Sequence, residues 1–286
     1  YHTIDMGRAG NIYINDYTNT VMVVRNELGI EGNVLPVNIT RFLDFSHKET
    51  SYNAAGYGSA WNYGSKLTKI TSLTYQWQTP TGENIYFIPD VNKNTEEGVS
   101  NVYWLDTENK GYFLQMQPNQ YYEFNNALIT SPDELTYKFG TGGKIVRISN
   151  KYNDTITIKY MNDDITQTNI YYIEDGLGRR YYFNYGTQKI GTTNYDVLKN
   201  ITIKVPDKTD PDNISYNEMV QLGDKNICIS YEYSLLPNQR IALNKVIYPD
   251  GEVVEYSTRG DVEGLSCYKS VSASRSDIIR ITRKYE

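Results

Sequence analysis

The chain has 286 residues with a formal net charge of −6, and no run of Lys or Arg longer than two occurs in it. That balance argues against a nucleic-acid partner, and no apolar stretch approaches the ~20 residues of a membrane helix, so no membrane insertion by this segment is expected. Hydrophobic residues make up only 39%, yet there are 28 tyrosines. Tyrosine buries a large ring while its hydroxyl reaches water or a backbone group, which suits a wide, thin β-layer better than a compact oily core. The first residue is Tyr1 rather than Met, and the expectation is a mature or excised piece.

In chain order, residues 11 to 45 read N-I-Y-I-N-D-Y-T-N-T-V-M-V-V-R-N-E-L-G-I-E-G-N-V-L-P-V-N-I-T-R-F-L-D-F, followed by G-Y-G-S-A-W-N-Y-G at 56 to 64. Residues 90 to 101 form a polar loop in which Asp90, Asn92 and Asn94 have the opening spacing of a calcium loop. Its sixth position is Thr95 rather than Gly and its twelfth Asn101 rather than Glu, so no metal is expected there. From Thr155 to Tyr160 strict alternation places Ile156, Ile158 and Tyr160 on one face of a half-buried strand. Residues 201 to 205 and 227 to 233 repeat that pattern. Residues 207 to 213 are a second polar loop. Ser215 to Glu218 has a capping-box pattern that would allow a two-turn helix as far as Leu222. Pro249, Asp250 and Gly251 make a turn, because Pro presets φ and Gly tolerates a positive one.

Strand endings with two large apolar residues around a polar one finish at Phe139, Tyr160, Tyr185, Tyr233 and Tyr256. The steps between them are 21, 25, 48 and 23 residues, and 48 reads as two units with a degenerate member near 201 to 205. A unit of that length is one hairpin, which must stack on its neighbours. After Tyr256 the next ending is due near residue 279. There Ile279 and Ile281 alternate with Arg280 and Thr282 in a strand expected around Ile278 to Arg283, with an outer edge lacking a repeat neighbour.

The segment 137 to 160, Y-K-F-G-T-G-G-K-I-V-R-I-S-N-K-Y-N-D-T-I-T-I-K-Y, resembles the YD repeat of RHS proteins, as do I-E-D-G-L-G-R-R-Y-Y-F-N-Y ending at Tyr185 and Y-P-D-G-E-V-V-E-Y at 248 to 256. The stretches at 11 to 45 and 56 to 64 are similar to the leader that precedes such repeats. The resemblance implies an all-β fold, with antiparallel hairpin repeats forming a long curved sheet, part of an RHS/YD-repeat shell. It divides the chain into a leader region at 1–118 and a hairpin array at 119–286, continuous as one structural unit. It further implies a secreted or cell-surface bacterial protein whose shell encloses or displays a C-terminal effector, the partner being the C-terminal remainder of the same polypeptide. The family's shell-closing motif with its Asp-Pro cleavage site is missing, since Asp210 and Pro211 stand in a polar loop without the surrounding pattern. Neither self-cleavage nor a toxin domain is expected within these residues.

Chemistry finds little purchase. The histidines are His2 and His47, both among polar residues, and the cysteines Cys228 and Cys267 are 39 apart, which supplies no clustered metal site. A bridge between them would close a long loop and add about 4 kcal/mol, but Cys228 shares strand parity with Ser230 and Glu232, away from the apolar side, and two free thiols are expected. Gly140, Gly142 and Gly143 sit in a hairpin turn rather than before a helix, so no nucleotide cofactor is implied. No catalytic residue is singled out, and the expectation is a chain without enzymatic activity. The rival is a carbohydrate-binding or adhesion module for a cell-surface glycan, with Trp77 and Trp104 as the docking rings, against packing of both into their own sheet. Trp61 is assigned to the leader motif.

Overall fold

The computed structural model describes residues 2–17, 20–32, 34–44, 54–56, 58–80, 83–95, 101–117, 124, 126–161, 169–206, 219–221, 227–235, 241–259, 264–271 and 275–280. The fold is all-β and antiparallel, with helical turns only at Gly7–Ala9, Asn62–Gly64, Val91–Asn94 and Thr141–Gly143 among these residues. Compactness divides the chain differently from a boundary at residue 118. One unit is Tyr1–Gly29, Asn38–Ala60 and Arg180–Glu286, and the other is Ile30–Val37 and Trp61–Arg179. Leader residues therefore belong to both units.

In the first unit the leader makes a sheet in the order His2–Asp5, Asn11–Asn15, Thr20–Gly29, Asn38–Asp44 and Ser59–Trp61. A second ladder begins with the long hairpin of Arg180–Ile190 and Thr193–Pro206, and continues through Cys228–Leu235, Ile241–Ile247, Val253–Arg259, Gly264–Val271 and Arg275–Arg280. The last strand spans 275–280 and pairs with Gly264–Val271, and residues 281–286 lie outside the described residues. Ile12, Val23, Ile39 and Leu43 of the leader are buried, as are Tyr181, Phe183, Ile201, Ile229, Val246 and Val254 of the array. In the other unit the strands from Leu67–Thr71 to Ile170–Glu174 pair each with the next as a meander over a core that includes Tyr75, Trp77, Phe87, Trp104, Leu114 and Phe139.

The endings Phe139, Tyr160, Tyr185, Tyr233 and Tyr256 all lie in strands, and between consecutive ones runs a single main return strand. Among the described residues the 48-residue step therefore holds one main return strand, where the spacing suggests two units. Residues 201–205 belong to the return strand Thr193–Pro206, and the added length goes into that extended hairpin and the segment that follows it, which includes the short strand Met219–Gln221. That short strand occupies part of the candidate helix at 215–222, whose other residues lie outside the described ones. The loop at 90–101 contains the helical turn Val91–Asn94.

Four of the endings share a feature that no period count reveals. The register slips at Lys138/Phe139, Lys159/Tyr160, Asn184/Tyr185 and Glu232/Tyr233, so that Val146, Tyr171, Lys199 and Asn244 are the extra residues in the facing return strands. An extra residue switches side-chain parity. The buried apolar residues of those strands accordingly stand three apart rather than two: Ile145 and Ile148, Ile170 and Ile173, Leu198 and Ile201, Leu243 and Val246. A bulge bends its strand and increases local twist, so the sheet bends at each of these four points.

Candidate functional site

Tyrosine hydroxyls fasten these bulges. Tyr160 Oη donates to the carbonyl of Ile145, 2.9 Å away, and Ile145 is the residue facing Phe139 at the preceding bulge. Tyr233 Oη donates over 2.9 Å to the carbonyl of Leu198, which faces Tyr185 at its own preceding bulge. Each tyrosine thus reaches back one unit and holds the irregular point of the hairpin before it. Burial pushes the Tyr160 phenol far above its ordinary range, so it remains a donor.

The leader element at 54 to 64 meets the same stations. Leu198 N donates to Ala54 O at 2.8 Å. Gly56 adopts φ +94, and a Cβ there would lie 3.0 Å from Leu243 N and 3.2 Å from the Tyr233 ring, which explains the glycine. In the other unit Tyr160 Oη also stands 3.3 Å from Tyr63 O, and a Cβ on Gly143 would fall 2.0 Å from Leu67 O. Trp61 is half-buried where the turn Asn62–Gly64 begins.

The turn motifs resolve in the same terms. Asp175 is buried and accepts from Leu177 N at 2.9 Å and Arg179 N at 3.0 Å, while Arg179 Nε pairs with its other oxygen. The Arg179 guanidinium then donates to the carbonyls of Ile30 at 3.1 Å and Glu31 at 3.3 Å. A Cβ on Gly176 would meet Val34 Cγ1 at 2.6 Å, so D-G-L-G-R is a docking point for the segment Ile30–Val37. At the second such turn Asp250 accepts from Glu252 N at 3.0 Å, and Arg8 of the leader pairs with Asp250 and Glu252.

A buried polar cluster lies inside the first unit. Arg25 and Arg41 stand directly opposite each other in neighbouring strands, and Glu27 is the extra residue where that ladder slips between Asn26 and Leu28. All three side chains are shielded from solvent. Glu27 pairs with Arg25 Nη2, lies 2.8 Å from Arg41 Nε, and accepts from Tyr231 Oη at 3.1 Å. Arg25 Nη1 donates to Tyr256 Oη at 3.0 Å, and that hydroxyl donates to Ala9 O at 2.8 Å. Tyr248 Oη donates to Arg8 O at 2.8 Å. Burial opposes charge on Arg25, but the Glu27 carboxylate and the surrounding tyrosine oxygens outweigh it and hold its pKa well above the ordinary value. Burial likewise drives Tyr231 far up, helped by Glu27. Repeat tyrosines therefore solvate a buried ion cluster of the leader. The arrangement is a clasp between the leader and the hairpins.

A cleft of about 520 Å³ opens next to the cluster, lined by Arg8, Asn11, Asn26, Tyr248 and Asp250 among others. Its cation is already taken, since Arg8 pairs with two carboxylates and stacks 4.9 Å from the Tyr248 ring centroid.

The tryptophans proposed as glycan rings are core residues. Trp77 is 1% and Trp104 4% exposed, so neither offers a ring face to a sugar. Trp77 packs on Tyr137 at 4.8 Å and on Tyr112 at 5.7 Å and donates to Ser65 Oγ at 2.7 Å, and Trp104 meets the Tyr75 ring edge at 5.2 Å. Their alternation with Gln76 and Gln78, or with Tyr103 and Leu105, already set them on the opposite side from the wetted positions. His2 is exposed, 3.3 Å from Asp16, and His47 lies outside the described residues, as do Asp210 and Pro211. Asp90 caps the turn Val91–Asn94, and Asn94 bonds both backbone groups of Tyr103. Cys228 is a free, half-buried thiol 3.6 Å from Ser230 Oγ. The turn Thr141–Gly143 joins two strands, as expected. Arg25, Glu27 and Arg41 were not singled out from sequence, although Arg25 and Glu27 share parity with core Val23, and charges on an apolar face are a readable signal.

No protein-family model matches the chain, and no curated protein matches it in sequence. Solved structures do resemble it. The Tc holotoxin pore of Photorhabdus luminescens matches with a TM-score of 0.54 at 12% identity, over 90% of this chain and 16% of that one. The TcdB2–TccC3 crystal structure matches with a TM-score of 0.54 at 10% identity, over 97% and 20%. A TcdB2–TccC3–TEV structure gives 0.51 at 10%, over 97% and 19%. This chain therefore spans a fifth or less of the length of those chains, and at such identity the likeness is one of fold: antiparallel hairpins in the arrangement found in part of these toxin chains.

Proposed function

We propose that this chain is a non-catalytic wall segment of a larger secreted or surface protein of the RHS/YD-repeat kind, and that it helps enclose or display a C-terminal effector carried on the same polypeptide. The observation that carries this reading is the repeated joint in which a tyrosine of one hairpin grips the bulge of the hairpin before it, Tyr160 on Ile145 and Tyr233 on Leu198. Such joints add hairpins edge to edge and give each the same bend, which is what a curved wall needs. The fold likeness to TcdB2–TccC3 chains supports the reading, as does the clasp by which leader and hairpins share one buried polar network.

The test uses the full-length protein that contains this segment. Electron microscopy should show a hollow particle, and limited proteolysis should spare the region C-terminal to the array until the wall is denatured. Prompt digestion of that region from an intact particle overturns enclosure. Assay of the chain against a glycosidase-substrate panel should give no turnover, and turnover abolished by one Asp or Glu substitution would refute the non-catalytic reading.

A further inference from the structure

The loop between the paired residues Gly29 and Asn38 belongs with the second unit, although the strands on either side of it belong to the first. It is fastened sparingly. The Arg179 guanidinium donates to the carbonyls of Ile30 and Glu31, and among the described residues no other hydrogen bond or ion pair involves residues 30–32 or 34–37. Beyond that clamp Val34 rests on Gly176, where a Cβ would also come within 2.8 Å of the Val34 carbonyl oxygen, and Val37 is fully buried at the far end. Ile30, Gly32, Val34, Leu35 and Pro36 are half-buried, and Glu31 is exposed.

Docking also holds this backbone in an unfavourable shape. Leu35 has φ +35, a left-handed conformation that residues with a Cβ avoid, and it precedes Pro36, whose ring favours extended backbone at the residue before it. Strain of this kind persists only where the surroundings impose it. Here they are one guanidinium, one glycine floor and one buried valine. Both sides of the joint are complete without it: Gly29 and Asn38 close the ladder of strands Thr20–Gly29 and Asn38–Asp44 beneath the loop, and Arg179 is tied to Asp175 in its own turn. We propose that Ile30–Val37 is a strained strap that lifts off the turn at 175–179 and returns to it while the strands on either side stay folded, and that Arg179 is the residue positioning it. The inference does not depend on the wall reading.

The 286-residue chain carrying Val37→Cys tests it, because a thiol at that buried position reacts only when the strap lifts. Alkylation by iodoacetamide is followed by mass spectrometry of the peptide containing residue 37, at several low urea concentrations, beside global unfolding by circular dichroism. The expected rate is independent of urea across the native range, since a local opening exposes little surface. Arg179→Ala and Gly176→Ala should each raise it about tenfold or more, with the urea midpoint of global unfolding nearly unchanged. Arg179→Lys, which still donates to a carbonyl, should restore much of the closure that Arg179→Ala loses. Labelling that follows the global-unfolding slope at every urea concentration, or none short of global unfolding, overturns the proposal. So does a urea-independent rate that Arg179→Ala leaves unchanged. An acceleration matched by a fall in the midpoint overturns it as well, since Arg179 would then serve general stability alone.

Discussion

Arg25 and Arg41 face each other across one ladder step, both shielded from the surface, and Glu27 reaches both because a bulge gives its strand one residue too many. Like charges directly opposite in a sheet repel, so the carboxylate is what lets the leader close over the hairpins.

Glu27→Gln keeps the shape and removes the charge, leaving two facing guanidiniums buried. Denaturant unfolding should show a loss of about 3–5 kcal/mol, the usual cost of breaking a buried ion cluster from one side. Replacing the whole cluster with apolar side chains (Arg25→Met, Glu27→Leu, Arg41→Met) should return stability to near the parent value or above it. A triple variant weaker than Glu27→Gln alone would show that the ions themselves hold the leader in place.

Tyr160→Phe and Tyr233→Phe each delete one hydroxyl that ends on a bulge carbonyl. Each should lower stability by about 0.5–1.5 kcal/mol, whereas Tyr152→Phe, on an exposed turn, should cost nothing measurable. Equal behaviour of all three in chemical denaturation would remove the joint as a source of stability.

Asp175→Ala leaves the amides of Leu177 and Arg179 without their acceptor and frees the Arg179 guanidinium. A loss of about 1–3 kcal/mol is expected, with faster hydrogen exchange at those two amides. Unchanged exchange at both would mean that the turn closes without its carboxylate.

The tyrosines also set an alkaline limit. Burial raises Tyr137 and Tyr248 to about 12 from the ordinary 10.0, and Tyr160 and Tyr231 further. The unfolded chain therefore gives up phenolic protons first, and stability is full below pH about 10 and falls as pH rises through the folded values. Phenolate absorbance from the buried rings should appear only together with loss of β circular dichroism. A single smooth titration with the fold intact would contradict the burial of these phenols.

Where a strand has one wet and one dry side, as in Thr155–Tyr160, alternation alone was enough to read it. Counting a period failed at the 48-residue step because hairpin length is free to vary, and Arg180–Ile190 with Thr193–Pro206 pairs far beyond Tyr185. The bulges were legible in another form. I-V-R-I from Ile145, I-Y-Y-I from Ile170, L-K-N-I from Leu198 and L-N-K-V from Leu243 each space buried residues by three, a break in period two that only makes sense once an extra residue is allowed. The partners of Arg25, by contrast, come from Glu27 two residues away and from Tyr256 far along the chain, and no local pattern joins such groups.

The two joints between tyrosine and bulge lie at the base of their hairpins, so the far end of each is under no metric constraint. Residues 186–197 already extend one hairpin beyond its joint, and Tyr233 still finds Leu198 as Tyr160 finds Ile145. Such hairpins resemble bricks of any height set on a fixed mortar course: a change of length at a tip leaves the joint alone, while deleting a bulge residue such as Val146 or Lys199 turns the parity of its own strand.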